Sequence, residues 1–211
     1  VSGRRAAGVD GRGEPYDRAY YDKWYRSRAH RVRTTGELAR IVRFVVAATE
    51  HVLERPVRRV LDVGAGEGNW YPLLRALRPR VHYLGIDPSA YAVARYGRRR
   101  RLVQGSIEAL AAAGARGRYD LVVASGMLNY LSEAQLVRGL AAVAAHTGGV
   151  AYLELFAAGD AVAGDTAWAP LRPAAWYAAR CRGAGLVPIG LHLYVPSDEA
   201  DRLAQLERPA R

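Results

Sequence analysis

Cysteine is almost missing from this chain: Cys181 stands alone, which excludes an internal disulfide and fits a reducing compartment. Lysine is as scarce, with Lys23 the single example among 31 basic residues. A formal charge of +11 and a pI near 10.2 ordinarily point to nucleic acid or an anionic surface as partner. A basic excess written almost wholly in arginine is instead a compositional habit, such as a GC-rich genome imposes, and it reads as a solvated surface. No stretch approaches the roughly 18 apolar residues of a membrane span, and no signal-peptide pattern is present, so a cytoplasmic protein without a membrane partner is expected. Histidines, the cysteine and the carboxylates nowhere recur at the spacing of metal ligands, so no metal is expected either. With 211 residues, half of them hydrophobic, the chain can bury one core of ordinary size and has no clear room for a second.

What is present centres on Val60-Leu61-Asp62-Val63-Gly64-Ala65-Gly66-Glu67-Gly68-Asn69-Trp70, a buried strand running into a glycine-rich turn and then a helix. Glycines at alternate positions let the backbone curl tightly and approach a ligand, because positive φ costs them little. Asp62 lies towards the carboxyl end of the strand, where an open α/β sheet binds its ligands. The dinucleotide fingerprint G-x-G-x-x-G is not met: Asn69 stands where its third glycine belongs, which argues against a pyrophosphate cradle. About twenty residues on, the short strand His82–Asp87 ends in a carboxylate suited to accept both hydroxyls of a ribose. A nucleoside bound without phosphates satisfies both observations.

Along the chain, residues 1–15 are rich in Gly and Arg and poor in large apolar side chains, and are expected to be a disordered tail. Residues 16–211 then form a single domain: a segment 16–33 holding the aromatic stretch Tyr16–Tyr25, a core 34–195, and 196–211 as a C-terminal extension or last strand. Thr34 with Glu37 makes a capping box, and Leu38, Ile41, Val42, Val45, Thr49, Val52 and Leu53 follow at helical spacing. From there strands near Val60–Val63, Tyr83–Asp87, Leu102–Gln104, Leu121–Ser125 and Val150–Phe156 alternate with helices near Trp70–Leu77, Ala90–Tyr96, Ile107–Ala113 and Ser132–Ala145. Strands apolar at nearly every position mark a parallel sheet buried on both faces, hence an α/β doubly wound, mainly parallel sheet. After a loop carrying Trp168 and a helix near Ala174–Cys181, Gly185 to Val195 reads as one strand, while Leu203 to Leu206 suits a helix turn or a strand.

These residues resemble motifs I (Asp62 to Gly68) and II (Asp87) of the class I S-adenosylmethionine-dependent methyltransferases of small-molecule type. Gln104-Gly105-Ser106-Ile107 and Tyr119 to Tyr130 are similar to the family's later motifs, in the expected order. The resemblance implies a Rossmann-like methyltransferase fold with an N-terminal helical lid, and S-adenosylmethionine as cofactor with S-adenosylhomocysteine as product. It marks Asp62, Gly64, Ala65, Gly66, Asp87, Pro88, Ser106, Ile107 and Ser125 as cofactor contacts, while Met127 and Leu128 either line the methionine side or simply pack in the core. Tyr20 and Tyr25 join them if the aromatic segment closes the site as in family members; otherwise that segment packs on the domain edge. The acceptor would be a small molecule.

Many related enzymes have a histidine where this chain has Asn129, and an amide takes no proton at neutral pH, so Asn129 orients an acceptor without deprotonating it. His51 and His146 fall on helices and His82 opens a strand, which leaves His30 and His192 and no assigned catalytic residue. An acceptor offering nitrogen or acidic oxygen needs little help from a base. Two competing readings remain: an RNA acceptor, prompted by Arg98-Arg99-Arg100-Arg101, and a non-catalytic nucleoside-binding protein with the same fold. No aromatic interleaving accompanies those arginines, which also suit a helix C-terminus.

Overall fold

The computed structural model describes residues 16–162 and 171–203. At its centre a seven-stranded sheet comprises β1 (Arg59–Val63), β2 (His82–Asp87), β3 (Leu102–Gln104), β4 (Tyr119–Ala124), β5 (Thr147–Leu153), β6 (Leu186–Gly190) and β7 (Leu193–Pro196). The order is β3-β2-β1-β4-β5-β7-β6. The ladders from β3 to β5 are parallel, and β7 runs antiparallel to both its neighbours. Side chains of successive strand residues point to opposite faces. Leu121 and Val123 therefore join the core under α2 (Thr35–Leu53), α3 (Trp70–Leu77) and α4 (Ala90–Arg100), while Val122 and Ala124 join the core under α5 (Glu133–His146) and α6 (Ala174–Gly183). Both faces being covered, the strands can be apolar throughout, as the reading of β4 requires.

The predicted capping box forms: Thr34 Oγ1 accepts from Glu37 N at 3.2 Å and Glu37 Oε2 from Thr34 N at 2.7 Å. Two expectations are corrected. The helix over Ile107–Ala113 shortens to a 3-10 turn at Ile107–Ala109, anchored by Ile107 and Leu110 in the core, and the turns that follow end at Gly114 with its positive φ. The single strand over 185–195 is a hairpin. Leu191 and His192 both have positive φ (52° and 63°) and fold the chain back, so that the seventh strand is Leu193–Pro196. Residues Ser197–Leu203 form the helix α7. Pro188 is tolerated because β6 is an edge strand.

Preceding α2, Asp17 caps a short helix α1 (Arg18–Tyr21) by accepting from Tyr20 N at 2.9 Å, and Asp22–Arg26 continues it as a π-helical turn. Such turns occur frequently at functional sites.

Candidate functional site

Register brings Val63, Asp87, Gln104, Ala124 and Leu153 to one edge of the sheet. The strand order reverses between β1 and β4, and the crevice of a doubly wound sheet opens at such a point. Gly64 leaves β1 there and Ser125 leaves β4.

The glycine-rich turn is made by Gly64, Gly66 and Gly68, all with positive φ. Gly64 N and Ala65 N both donate to Ile86 O, at 2.8 and 3.1 Å, which folds the turn over the end of β2. Side chains are excluded as well as strained: a Cβ on Gly64 would lie 2.5 Å from Met127 Cγ, and one on Gly66 would lie 2.8 Å from the Tyr25 hydroxyl. Asp87 ties the turn down. Its Oδ2 accepts from Gly66 N at 2.6 Å and its Oδ1 from Ser89 N at 2.8 Å, with the Tyr21 hydroxyl a distant partner at 3.5 Å. Burial pushes the Asp87 carboxyl up, and the backbone hydrogen bonds from Ser89 and Gly66 pull against it.

Asp62 is not at the surface of this site. It is 2% exposed and accepts from the Tyr83 hydroxyl at 2.6 Å. Burial raises its carboxyl to about 7, opposed by the Tyr83 hydrogen bond and helped by the charge of Asp87. Asp62 thus ties β1 to β2 through Tyr83. Ile107 is likewise turned away: it is buried against Gly139 of α5. Ser106 sits half-buried at the head of the 3-10 turn, and Pro88 is exposed, its carbonyl accepting from Gln104 Nε2 at 3.2 Å.

The N-terminal segment lies across the edge of the sheet. Tyr16 O accepts from Ser89 Oγ at 2.6 Å, Arg26 pairs with Glu67 of the glycine-rich turn, and Arg33 Nη2 donates to Glu154 Oε1 at 2.6 Å beyond β5. Between these anchors the Tyr21 and Tyr25 rings meet edge-on at 5.0 Å, and Tyr21 stacks on Tyr91 at 5.6 Å. Burial, and next the charge of Asp87, pushes both phenols far up; Tyr25 is 40% exposed as a residue, and it is its hydroxyl end that lies against Gly66. Tyr20 stands behind them, edge-on to Tyr21 at 5.4 Å.

Asn129 does not face an acceptor. Its Nδ2 donates to Phe156 O at 2.7 Å and to the Tyr177 hydroxyl at 2.9 Å, while its Oδ1 accepts from Phe156 N at 3.1 Å. The side chain clamps the backbone after β5 to α6. His192 lies in the hairpin turn, not in a strand, and meets the Tyr152 and Phe156 rings edge-on at 6.1 and 6.0 Å. His30 lies within 3.2 Å of Ser27 Oγ and against Trp24. Trp168 lies outside the described residues. Sequence reasoning missed Arg26, Arg33, Glu67, Ser89 and Glu154. A signal existed for the last, since Glu154 is the one charge in the apolar run Val150–Phe156.

Among the described residues no three His, Cys, Asp or Glu side chains group as metal ligands would, and no helix is long and apolar enough to cross a membrane.

The sheet order and this turn define a class: a doubly wound α/β protein whose glycine-rich loop is tied to the carboxylate that ends β2. The chain belongs to the methyltransferase domain family, whose model matches residues 28–194. Its fold is shared by a sugar N-methyltransferase from Streptoalloteichus sp. ATCC 53650 (21% identity, 89% of this chain and 91% of that chain, TM-score 0.63). An amino pentose methyltransferase from Micromonospora echinaspora, bound to S-adenosylmethionine, is also similar (19%, 77% and 90%, 0.57). So is magnesium protoporphyrin IX methyltransferase from Synechocystis PCC 6803 with S-adenosylmethionine (17%, 82% and 83%, 0.59). No curated protein matches the sequence.

Proposed function

We propose that this protein transfers the methyl group of S-adenosylmethionine to a small-molecule acceptor, at nitrogen or an acidic oxygen. The observation that carries the reading is the junction of Asp87 with Gly66. Each oxygen of that carboxylate has one short backbone donor, at 2.6 and 2.8 Å, and a carboxylate oxygen has two lone pairs. Capacity therefore remains for two ribose hydroxyls, with the long Tyr21 contact the partner most readily exchanged. At Gly64 and Gly66 a Cβ would collide with Met127 and Tyr25, so the turn lies close beneath the side chains that cover it, and it is the donor set at Asp87 that fits a nucleoside.

When bound, S-adenosylmethionine supplies an already electrophilic methyl carbon. The protein's own task is to align the acceptor and exclude water, and alignment alone is worth about 7–11 kcal/mol in effective-molarity terms. The N-terminal segment does the excluding: anchored at Ser89, Glu67 and Glu154, it serves as the lid. Met127, packed over Gly64, and the loop from Ser125 border the methionine side. The sugar and amino pentose methyltransferases among the structural neighbours support a small acceptor. An RNA acceptor is poorly supported, because Arg100 is engaged with Glu67 O and Asn69 and Arg101 with Tyr71, so the four-arginine run is in part structural.

Calorimetry tests the assignment. S-adenosylmethionine and S-adenosylhomocysteine should bind while dinucleotides do not. Asp87→Ala should weaken binding by roughly 1.5–3 kcal/mol, the range for hydrogen bonds to a charged group. Unchanged affinity in that variant would sink the reading.

A further inference from the structure

Among the described residues one buried side-chain nitrogen lacks a hydrogen-bond partner: Nη1 of Arg172. A guanidinium stays charged at every pH a protein meets, so it cannot escape by losing its proton. An enclosed donor left unpaired suffers the full desolvation penalty, and native chains rarely keep such a group without a use for it.

The rest of Arg172 is fixed at the ligand-binding edge of the sheet. Nη2 donates to Leu131 O at 3.2 Å, Cζ lies 4.6 Å from the centre of the Trp176 ring, and Arg172 O accepts from Ala158 N at 2.9 Å. Leu131 belongs to the chain leaving β4 and Ala158 to the chain leaving β5, so the guanidinium stands over that half of the edge. Arg172 also leads into α6, whose N-cap, Pro173, brings no side-chain acceptor and whose first turn holds no acidic residue. First-turn amides have no partner within a helix, and together with the dipole they favour an anion. Ala174 and Ala175, which carry two of them, are exposed. An unused guanidinium nitrogen and an uncapped helix start are thus neighbours in the chain, and both suit an oxyanion.

We propose that Arg172 and the start of α6 bind an oxyanion carried by the methyl acceptor, a carboxylate or a phosphate monoester. The proposal rests on the methyltransferase reading and names a second functional group of the acceptor, one that does not receive the methyl. Met127 packs over Gly64, and a single 3-10 turn, Leu128–Tyr130, separates it from Leu131. At about 2 Å per residue that is roughly 8 Å, the span of a sugar-sized molecule. Arg172 lies on the β5 side of Met127, away from the glycine-rich turn, so the cofactor's own carboxylate is left to that turn. Nη1 is enclosed, and the side chain must turn outward to meet the acceptor. It gives up one hydrogen bond at the long end of the range, to Leu131 O, and gains a charge-assisted one. The penalty of the unpaired nitrogen is relieved only by a partner that brings an acceptor, which makes it a source of selectivity.

Three sugars test this by ligand-observed NMR on the protein saturated with S-adenosylhomocysteine at physiological salt: glucuronate, glucose 6-phosphate and glucose. The wild type should bind at least one of the two anions about tenfold more tightly than glucose, and the tighter of the two tells carboxylate from phosphate. Interligand NOEs should place that anion beside S-adenosylhomocysteine; an anion bound without them occupies a separate site, and the assignment to the acceptor falls. Arg172→Gln should bring the anion down to the level of glucose while calorimetry shows the affinity for S-adenosylhomocysteine unchanged. Arg98→Gln removes the same charge from an exposed position and should keep the preference. If it lowers the preference as much, attraction to a basic surface explains the binding and the proposal is overturned. It is overturned too if the wild type shows no preference or if Arg172→Gln retains one. Weakened S-adenosylhomocysteine binding in Arg172→Gln would assign the guanidinium to the cofactor's carboxylate and likewise sink it. Should Arg172→Gln fail to fold, Arg172→Met, whose side chain can still lie on Trp176, is expected to show the same loss, and a retained preference there counts against the proposal. Failure of the wild type to bind S-adenosylhomocysteine at all in calorimetry would instead overturn the methyltransferase reading itself.

Discussion

Asp62 and Asn129 occupy motif positions, yet each works on the protein rather than on a ligand. Asp62 lies one residue before the end of β1, opposite Gly85, and accepts from the Tyr83 hydroxyl. Its carboxyl is raised to about 7 from an unfolded value of about 3.9, so between those values the folded state holds a proton that the unfolded state has lost. The contribution to stability is full below about pH 4 and is lost as the pH rises to and through 7. Asp62→Asn, which keeps an acceptor for Tyr83, should therefore stabilise the protein more at pH 8 than at pH 5. Urea unfolding at the two pH values checks this; an equal effect at both would refute the buried, proton-holding carboxyl. Asn129 could be aligned with a base from the chain, but not assigned its actual task, because Phe156 and Tyr177 are 27 and 48 residues away.

Two elements carry features that local patterns did not disclose. The β6–β7 hairpin turns through Leu191 and His192, both left-handed, where glycine or asparagine is the usual choice. Leu191 is also 73% exposed. Replacing the pair by Asn-Gly should stabilise the protein by on the order of 1 kcal/mol, since both residues now bear a Cβ penalty. The same variant removes a candidate base. Methyl transfer should fall by much less than the roughly 100-fold typical of a lost general base, and so should transfer by His30→Ala. A larger loss with cofactor affinity unchanged would return His192 or His30 to the chemistry. By contrast the capping box of α2 was legible, because its two partners are three residues apart and need nothing else.

At the scale of the whole molecule, the N-terminal segment bridges distant parts of the sheet edge. It holds Ser89 after β2, Glu67 after β1 and Glu154 after β5. Between Tyr16 and Arg33 the segment buries only Tyr21, so it should open more easily than the core. A ligand that binds beneath it adds its own contacts and shifts that equilibrium. Limited proteolysis should accordingly cut within Tyr16–Tyr25 more slowly when S-adenosylhomocysteine is saturating. Equal rates with and without it would make the aromatic segment a packed edge and not a lid.

The turn, the carboxylate that ends β2 and the alternation of strands and helices were determined by the sequence alone. They follow from local demands: positive φ at Gly64, Gly66 and Gly68, burial on both faces of a parallel sheet, and a cap three residues long. What only the tertiary structure decided are partnerships across the chain. Arg33 meets Glu154 over 121 residues and Tyr21 meets Asp87 over 66. Asp62 is withdrawn, Asn129 is consumed, and the strand over 185–195 breaks in two so that β7 can pair antiparallel with β5. A polar side chain's role depends on which donors and acceptors burial brings beside it, and no spacing within the chain states that.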